Sequence, residues 1–231
     1  MSRIFITGDT HCYRDWKKLN TTNFPEQKKL TKDDYVIITG DFGGVWALDK
    51  TDKYIIKTYE NRNFTTLFVD GNHENHDALD QYPVEEWNGG KIHRISDTVI
   101  HLMRGQVFNI DGKTFFTMGG AQSTDKEYRK EGISWWSREL PSDEEYAEAI
   151  KNLEAHDFKV TYIISHCAPE DYAYDNSIMD IARNLNKLTG FFSSLITEYN
   201  IDFEGWYFGH YHQDTDFDKF HCMYRNIVEV F

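Results

Sequence analysis

Arg3-Ile4-Phe5-Ile6-Thr7-Gly8-Asp9-Thr10-His11 is the stretch that decides the fold. Its apolar part is short, β-branched and aromatic, and it stops at a glycine followed by polar, ionisable residues, which is the profile of a buried strand. The profile recurs downstream. Tyr35 to Thr39 stops at Gly40-Asp41, Thr66 to Val69 at Asp70-Gly71-Asn72-His73, Val160 to Ser165 at His166, and Trp206 to Phe208 at Gly209-His210. Between the early runs, Tyr13 to Leu19, Lys50 to Asn61 and His76 to Leu79 read as helices. Strands alternating with helices predict crossover units and a largely parallel sheet.

The middle of the chain changes character. Thr98 to Met103, Gln106 to Ile110 and Lys113 to Met118 read as hairpin strands, with Asp111-Gly112 as a two-residue turn. Ser142 to Ala155 opens on a Ser-Asp-Glu-Glu cap and is predicted to be a helix, and Thr215 to Val230 a closing hairpin or pair of strands. Together these elements predict a mixed α/β domain of two packed sheets. Their polar strand ends gather at one edge, where α/β sheets form their ligand crevice.

Composition narrows the function. With 231 residues, the chain is expected to form a single domain over 1–231, and a chain this long buries roughly 70% of its unfolded surface. Its 25 Lys plus Arg against 38 Asp plus Glu leave a formal charge of -13, which repels a phosphate backbone wherever the sign is not locally reversed. Broad nucleic-acid binding is therefore not expected. Cys12, Cys167 and Cys222 are too few for a disulfide framework, no apolar run reaches the length of a membrane span, and no signal pattern opens the chain. A cytoplasmic protein without membrane attachment is the expectation. Cys12 and Cys167 follow histidines of interest but read first as small packing residues.

Asp9, His11, Asp41, Asn72, His73, His166, His210 and His212 all lie at or near strand ends. Carboxylate oxygen and imidazole nitrogen suit manganese, iron, zinc or nickel better than calcium. The set exceeds what one closed structural zinc needs, so two metals are the economical count. Taken singly, each residue would read as a turn, cap or hydrogen-bonded histidine. His76, His93, His101, His156 and His221 fit no such block and read as ordinary core or surface residues.

The ordered blocks Gly8-Asp9-x-His11, Gly40-Asp41, Gly71-Asn72-His73-Glu74, His166 and Gly209-His210-x-His212 resemble those of the calcineurin-like metallophosphoesterases. The resemblance runs from residue 8 to residue 212. It implies a four-layer αββα sandwich, two mixed β-sheets flanked by helices, with a dinuclear centre of two divalent ions at the strand ends, manganese preferred. It further implies Asp9, His11 and His212 on one metal, Asn72, His166 and His210 on the other, and Asp41 bridging. A metal-bound hydroxide would then attack phosphorus while His73 acts as general acid on the leaving oxygen. Glu74 is expected to hold a loop or orient a ligand.

One departure matters for the substrate. Protein Ser/Thr phosphatases of this superfamily extend the second block as Gly-Asp-x-Val-Asp-Arg-Gly, whereas here it reads Gly40-Asp41-Phe42-Gly43-Gly44-Val45-Trp46. The phosphate-gripping Arg is missing at its usual place. Arg129, Trp135 and Trp136, on the long connection after Gly119, are the candidates to replace it, with Arg104 a weaker one. The expected substrate is a phosphorylated small molecule, a nucleotide or a short strand, as mono- or diester. A nuclease or RNA-processing phosphodiesterase is the alternative enzyme, favoured only if the Trp-rich loop forms a stacking platform, and a non-enzymatic binding module is disfavoured because no block is lost.

Overall fold

The computed structural model describes residues 1–170, 172 and 185–230. The opening stretch forms β1 (Ile4–Thr7), followed by β2 (Tyr35–Ile38), α1 (Lys50–Glu60), β3 (Thr65–Phe68), α2 (His76–Leu79), β4 (Val84–Trp87), β5 (Gly90–Ser96) and β6 (Val99–Leu102). Then come β7 (Gln106–Ile110), β8 (Lys113–Met118), α3 (Asp143–Glu154), β9 (Tyr162–Ser165) and α4 (Lys187–Thr197). The described chain closes with β10 (Gly205–Phe208), β11 (Thr215–Phe217), β12 (Phe220–Cys222) and β13 (Ile227–Glu229).

Seven strands pair in the order β13-β1-β2-β3-β6-β5-β4, and six in the order β11-β12-β10-β9-β8-β7. The period of two along each strand sorts its side chains between layers. Ile4 and Ile6 enter the layer between the sheets with Ile37, Leu67, Phe115, Ile164 and Tyr207, whereas Phe5 joins Val36, Ile38 and Phe68 against Ile55 and Tyr59 of α1. On the far side, Phe116, Ile163, Trp206 and Phe208 pack on Ala149 and Leu153 of α3 and on Leu188 and Phe192 of α4. Both faces of the central strands are covered, which is why their sequences are apolar runs. The architecture is an α/β sandwich of two mixed sheets with helices on the outside.

Local chemistry starts the helices. The Asp49 carboxylate accepts from the N–H groups of Thr51 and Asp52 at α1, and Ser142 and Glu145 cap α3 reciprocally. Register then aligns the strand ends. Thr7 pairs with Ile38 and Ile38 with Phe68, so the loops that follow β1, β2 and β3 emerge side by side. In the second sheet Met118 pairs with Ser165, and Ile164 with Tyr207, which brings the loops after β8, β9 and β10 to their own shared edge.

Several local expectations change. Residues 13–19 make only a 3-10 turn at Trp16–Leu19, because the chain has just bent through left-handed φ values of 41° at His11 and 58° at Cys12. The three middle strands do not form one meander. β6 pairs with β3 and β5 in the first sheet, while β7 and β8 form the expected hairpin in the second, and Gly105 with φ +71° sits where the chain crosses over. β11 and β12 form the closing hairpin, but β13 returns to the first sheet beside β1. β4, β5 and α4 carry weak sequence signals, β5 because Lys91 and Arg94 interrupt its apolar pattern.

Candidate metal centre

Asp9, His11 and His212 bring one ligand atom each within 4.8 Å of one another, and so do His11, Asp41 and His73, and Asp9, Asp41 and His166. Shared members make these one cluster. Asp41 turns Oδ2 to His11 Nε2 at 3.2 Å and Oδ1 to His166 Nε2 at 3.3 Å. Asn72 Oδ1 lies 3.2 Å from the same His166 nitrogen, and His212 Nε2 lies 3.1 Å from Asp9 Oδ2. His210 borders the cluster, its ring centre 5.1 Å from that of His166 and its backbone N–H donating to Asp9 Oδ1 at 3.2 Å. All of the expected ligand positions therefore converge.

The surroundings aim these groups. His166 Nδ1 donates to the Thr39 carbonyl at 2.8 Å, which leaves Nε2 to face the cluster. His11 Nδ1 likewise donates to Asp15 Oδ2 at 2.8 Å. Asp15 in turn accepts from the Tyr224 hydroxyl at 3.3 Å, and the Tyr224 ring stacks on His212 with centres 4.8 Å apart. Backbone crowding is just as specific. A Cβ at Gly71 would fall 2.1 Å from Asp41 Oδ1, and one at Gly40, whose φ is +103°, would fall 2.1 Å from His166 Nδ1. Asp41, His210 and His212 hold left-handed φ values of 49°, 69° and 52°. Such conformations cost of order 1–3 kcal/mol each, and they concentrate where structure must over-determine a site.

Electrostatically the cluster has only histidines to balance its carboxylates among the described residues. Burial pushes the Asp9 and Asp41 carboxyls up, but neighbouring histidines outweigh it and hold both below the usual carboxylate range. Burial pushes His166 down, yet Asp41 and Asp9 outweigh it and raise the imidazole to about 10. Asp9 Oδ2 is buried, with only the His212 and His11 ring nitrogens near it, at 3.1 and 3.9 Å. No Lys or Arg side chain pairs with either carboxylate among the described residues, and Lys18, close behind, spends its ammonium on the carbonyls of Gly8, Asp9 and Tyr224. Buried carboxylates balanced only by imidazoles, with ring nitrogens turned inward, suit divalent cations of borderline hardness.

His73 sits at the mouth of the cluster. Its backbone N–H donates to Asp41 Oδ1 at 2.7 Å, and the Arg129 guanidinium lies 3.3 and 3.4 Å from its two ring nitrogens. Burial lowers the imidazole pKa and Arg129 adds to that, against the pull of Asp41. A cleft of about 770 Å³ opens here, lined by His11, His73, His212, Arg129, Tyr13 and Trp46 among others.

A model of the calcineurin-like phosphoesterase family matches residues 2–214. The chain belongs to that family. Its members typically bind two divalent metals. No curated protein matches this phosphoesterase at significance.

Of the residues proposed from sequence to replace the missing Arg, only Arg129 reaches the cleft of the phosphoesterase. Trp136 is buried, donates from Nε1 to Asp77 Oδ2 at 2.8 Å and meets Trp46 edge-on at 5.2 Å. Trp135 carries Lys126 over its ring at 5.8 Å, and neither residue lines the cleft. Trp46 stands there instead. Arg104 is buried, bound to Asp70 Oδ2 through Nε at 2.9 Å and Nη2 at 2.6 Å, and so is not available to phosphate. Glu74 accepts from the N–H groups of Phe42 at 2.7 Å and Gly43 at 3.2 Å, tying down the loop after Asp41. Burial pushes the Cys167 thiol up to about 12 and also raises that of Cys12, which favours the packing role for both. Asp15 and Tyr224 escaped sequence reading, although Asp15 stands four residues after His11, a spacing that suggests an imidazole partner.

Proposed function

We propose that this phosphoesterase hydrolyses phosphate esters with two divalent ions, one held by Asp9, His11 and His212, the other by Asn72, His166 and His210, with Asp41 serving both. One observation carries the reading: the two oxygens of Asp41 address different histidines, His11 at 3.2 Å and His166 at 3.3 Å. When bound, such ions neutralise phosphoryl charge and make water nucleophilic near neutral pH. Manganese is the preferred ion, with iron, zinc or nickel compatible with the same donors.

The chain's own residues do the rest. Arg129 grips a phosphoryl oxygen through its guanidinium fork. His73 donates a proton to the leaving oxygen as the ester bond breaks. Asp15 and the Thr39 carbonyl keep the His11 and His166 rings from turning.

Elemental analysis after manganese loading, paired with turnover on mono- and bis-p-nitrophenyl phosphate, tests the reading. Two ions per chain are expected. His73→Ala should keep both ions and lower turnover about 10²–10⁴-fold, with poor leaving groups hit harder than p-nitrophenolate. One ion or fewer in the wild type overturns the dinuclear reading. Loss of an ion in His73→Ala would make His73 a ligand, which its proximity to His11 and Asp41 makes a pointed alternative.

A further inference from the structure

The cleft has a neighbour. A second trough of about 640 Å³ shares Arg14, Asp15 and Tyr224 with it as common walls. Three cations of this trough, Arg14, Lys17 and Arg225, are exposed and pair with no carboxylate among the described residues. Its acids are mostly engaged: Asp15 holds His11 and Tyr224, and Glu229 holds Arg3, leaving Glu26 to face the trough. Elsewhere many cations are matched, as in Lys91–Glu148, Arg94–Glu85 and Lys159–Asp202. In a chain of net charge -13, the trough is thus a place where the sign reverses.

Its position gives that reversal a use. One tyrosine ring separates it from the candidate metal centre, because Tyr224 stacks on His212 and carries the Arg225 guanidinium 5.6 Å from its centroid. On the cleft side, Tyr13 is 62% exposed and Trp46 half-buried, so flat rings adjoin the reacting centre. A cationic groove beside open aromatic faces is how proteins hold single-stranded nucleic acid. A mononucleotide would occupy the cleft and leave the three cations of the trough without a role.

We infer that the trough holds the phosphates flanking the scissile one, so that the substrate is a short single-stranded polynucleotide cut within its chain. The inference rests on the hydrolytic reading above. Water oxygen bonds to phosphorus as the bond to one sugar oxygen breaks, and that oxygen takes up a proton.

Arg14→Gln, Lys17→Gln and Arg225→Gln, singly and combined, test it with fluorescein-labelled DNA and RNA strands of about eight nucleotides. Anisotropy across a salt series and gel assays of cleavage would be read beside hydrolysis of bis-p-nitrophenyl phosphate. The triple variant should bind the strands at least about tenfold more weakly, with a salt slope shallower by roughly 0.7 per cation removed. In the Lys17→Gln/Arg225→Gln double variant kcat/KM on the small diester should stay within about twofold, with Tm unchanged, since neither residue lines the cleft. An unchanged affinity and slope overturn the inference, and so does a wild type that cleaves the small diester but neither strand. A wild type that cleaves no ester overturns the hydrolytic reading instead. The DNA and RNA arms identify the sugar.

Discussion

Two histidine–carboxylate clusters diverge from the same short turn. Asn72 enters the candidate metal centre with Asp9, Asp41, His11 and His166, while Asp70, two residues earlier, enters a buried group with His76, His93, His101 and Arg104. Residue types hardly distinguish them; charge balance does. Asp70 has Arg104 within 2.9 Å through two nitrogens and His101 Nε2 at 3.3 Å, while His93 Nδ1 meets His101 Nδ1 at 3.1 Å. Asp9 and Asp41 meet only imidazoles and the backbone N–H groups of His210 and His73, with no Lys or Arg paired to either among the described residues. A buried carboxylate with its own guanidinium is finished structure, whereas two neighbouring buried carboxylates crowded by ring nitrogens and without Lys or Arg suit a divalent cation.

The largest effect should come from Asp41→Asn. It should deplete both ions and cost more turnover than His73→Ala, while far-UV circular dichroism stays native; a variant that keeps two ions and near wild-type rates would break the comparison. Asp70→Asn should do the opposite. It leaves Arg104 buried and unpaired, so stability in urea should fall by about 3–5 kcal/mol with metal content preserved. Asp15→Asn sharpens the comparison from within the first cluster, since it frees the His11 ring. Metal affinity should drop about 10–100-fold by competition titration, and an unchanged affinity would mean that strand-end geometry alone orients His11.

The smallest effect concerns pH. Burial, reinforced by neighbouring positive groups, lowers His93 to about 4 and His76 to about 3. Both lie below the free imidazole value of about 6.5, so on acidification the unfolded chain takes up protons first. The stability these residues contribute is complete above about pH 6.5, is lost progressively as pH falls from there to their folded values, and changes no further below them. In metal-free protein, His93→Gln should flatten the dependence of Tm on pH between about 6.5 and 4, where each unit is worth on the order of 1.4 kcal/mol at most. An unaltered slope would mean that His93 is not held neutral.

The candidate ligands were legible in the sequence because each sits at the end of an apolar run or just past it, and such runs fold as strands whatever surrounds them. Parallel register then carries those ends to a common edge, so local pattern placed Asp9, Asp41, Asn72, His166 and His210 there, and only the resemblance to the ordered blocks of the metallophosphoesterases marked them as ligands. Tertiary structure alone decided the rest. That Trp46 rather than Trp135 or Trp136 faces the cleft depends on the buried bond from Trp136 to Asp77, 59 residues away. That Arg104 is spent on Asp70 depends on β6 pairing with β3. The support given to His212 by Tyr224 and to His11 by Asp15, and the cationic trough beside them, join residues 14–18 to residues 224–225, which meet only because β13 returns to pair with β1. Strand ends follow from hydrophobic periodicity within a few residues, but which side chains share a cleft follows from strand order, a property of distant contacts that no short window of sequence contains.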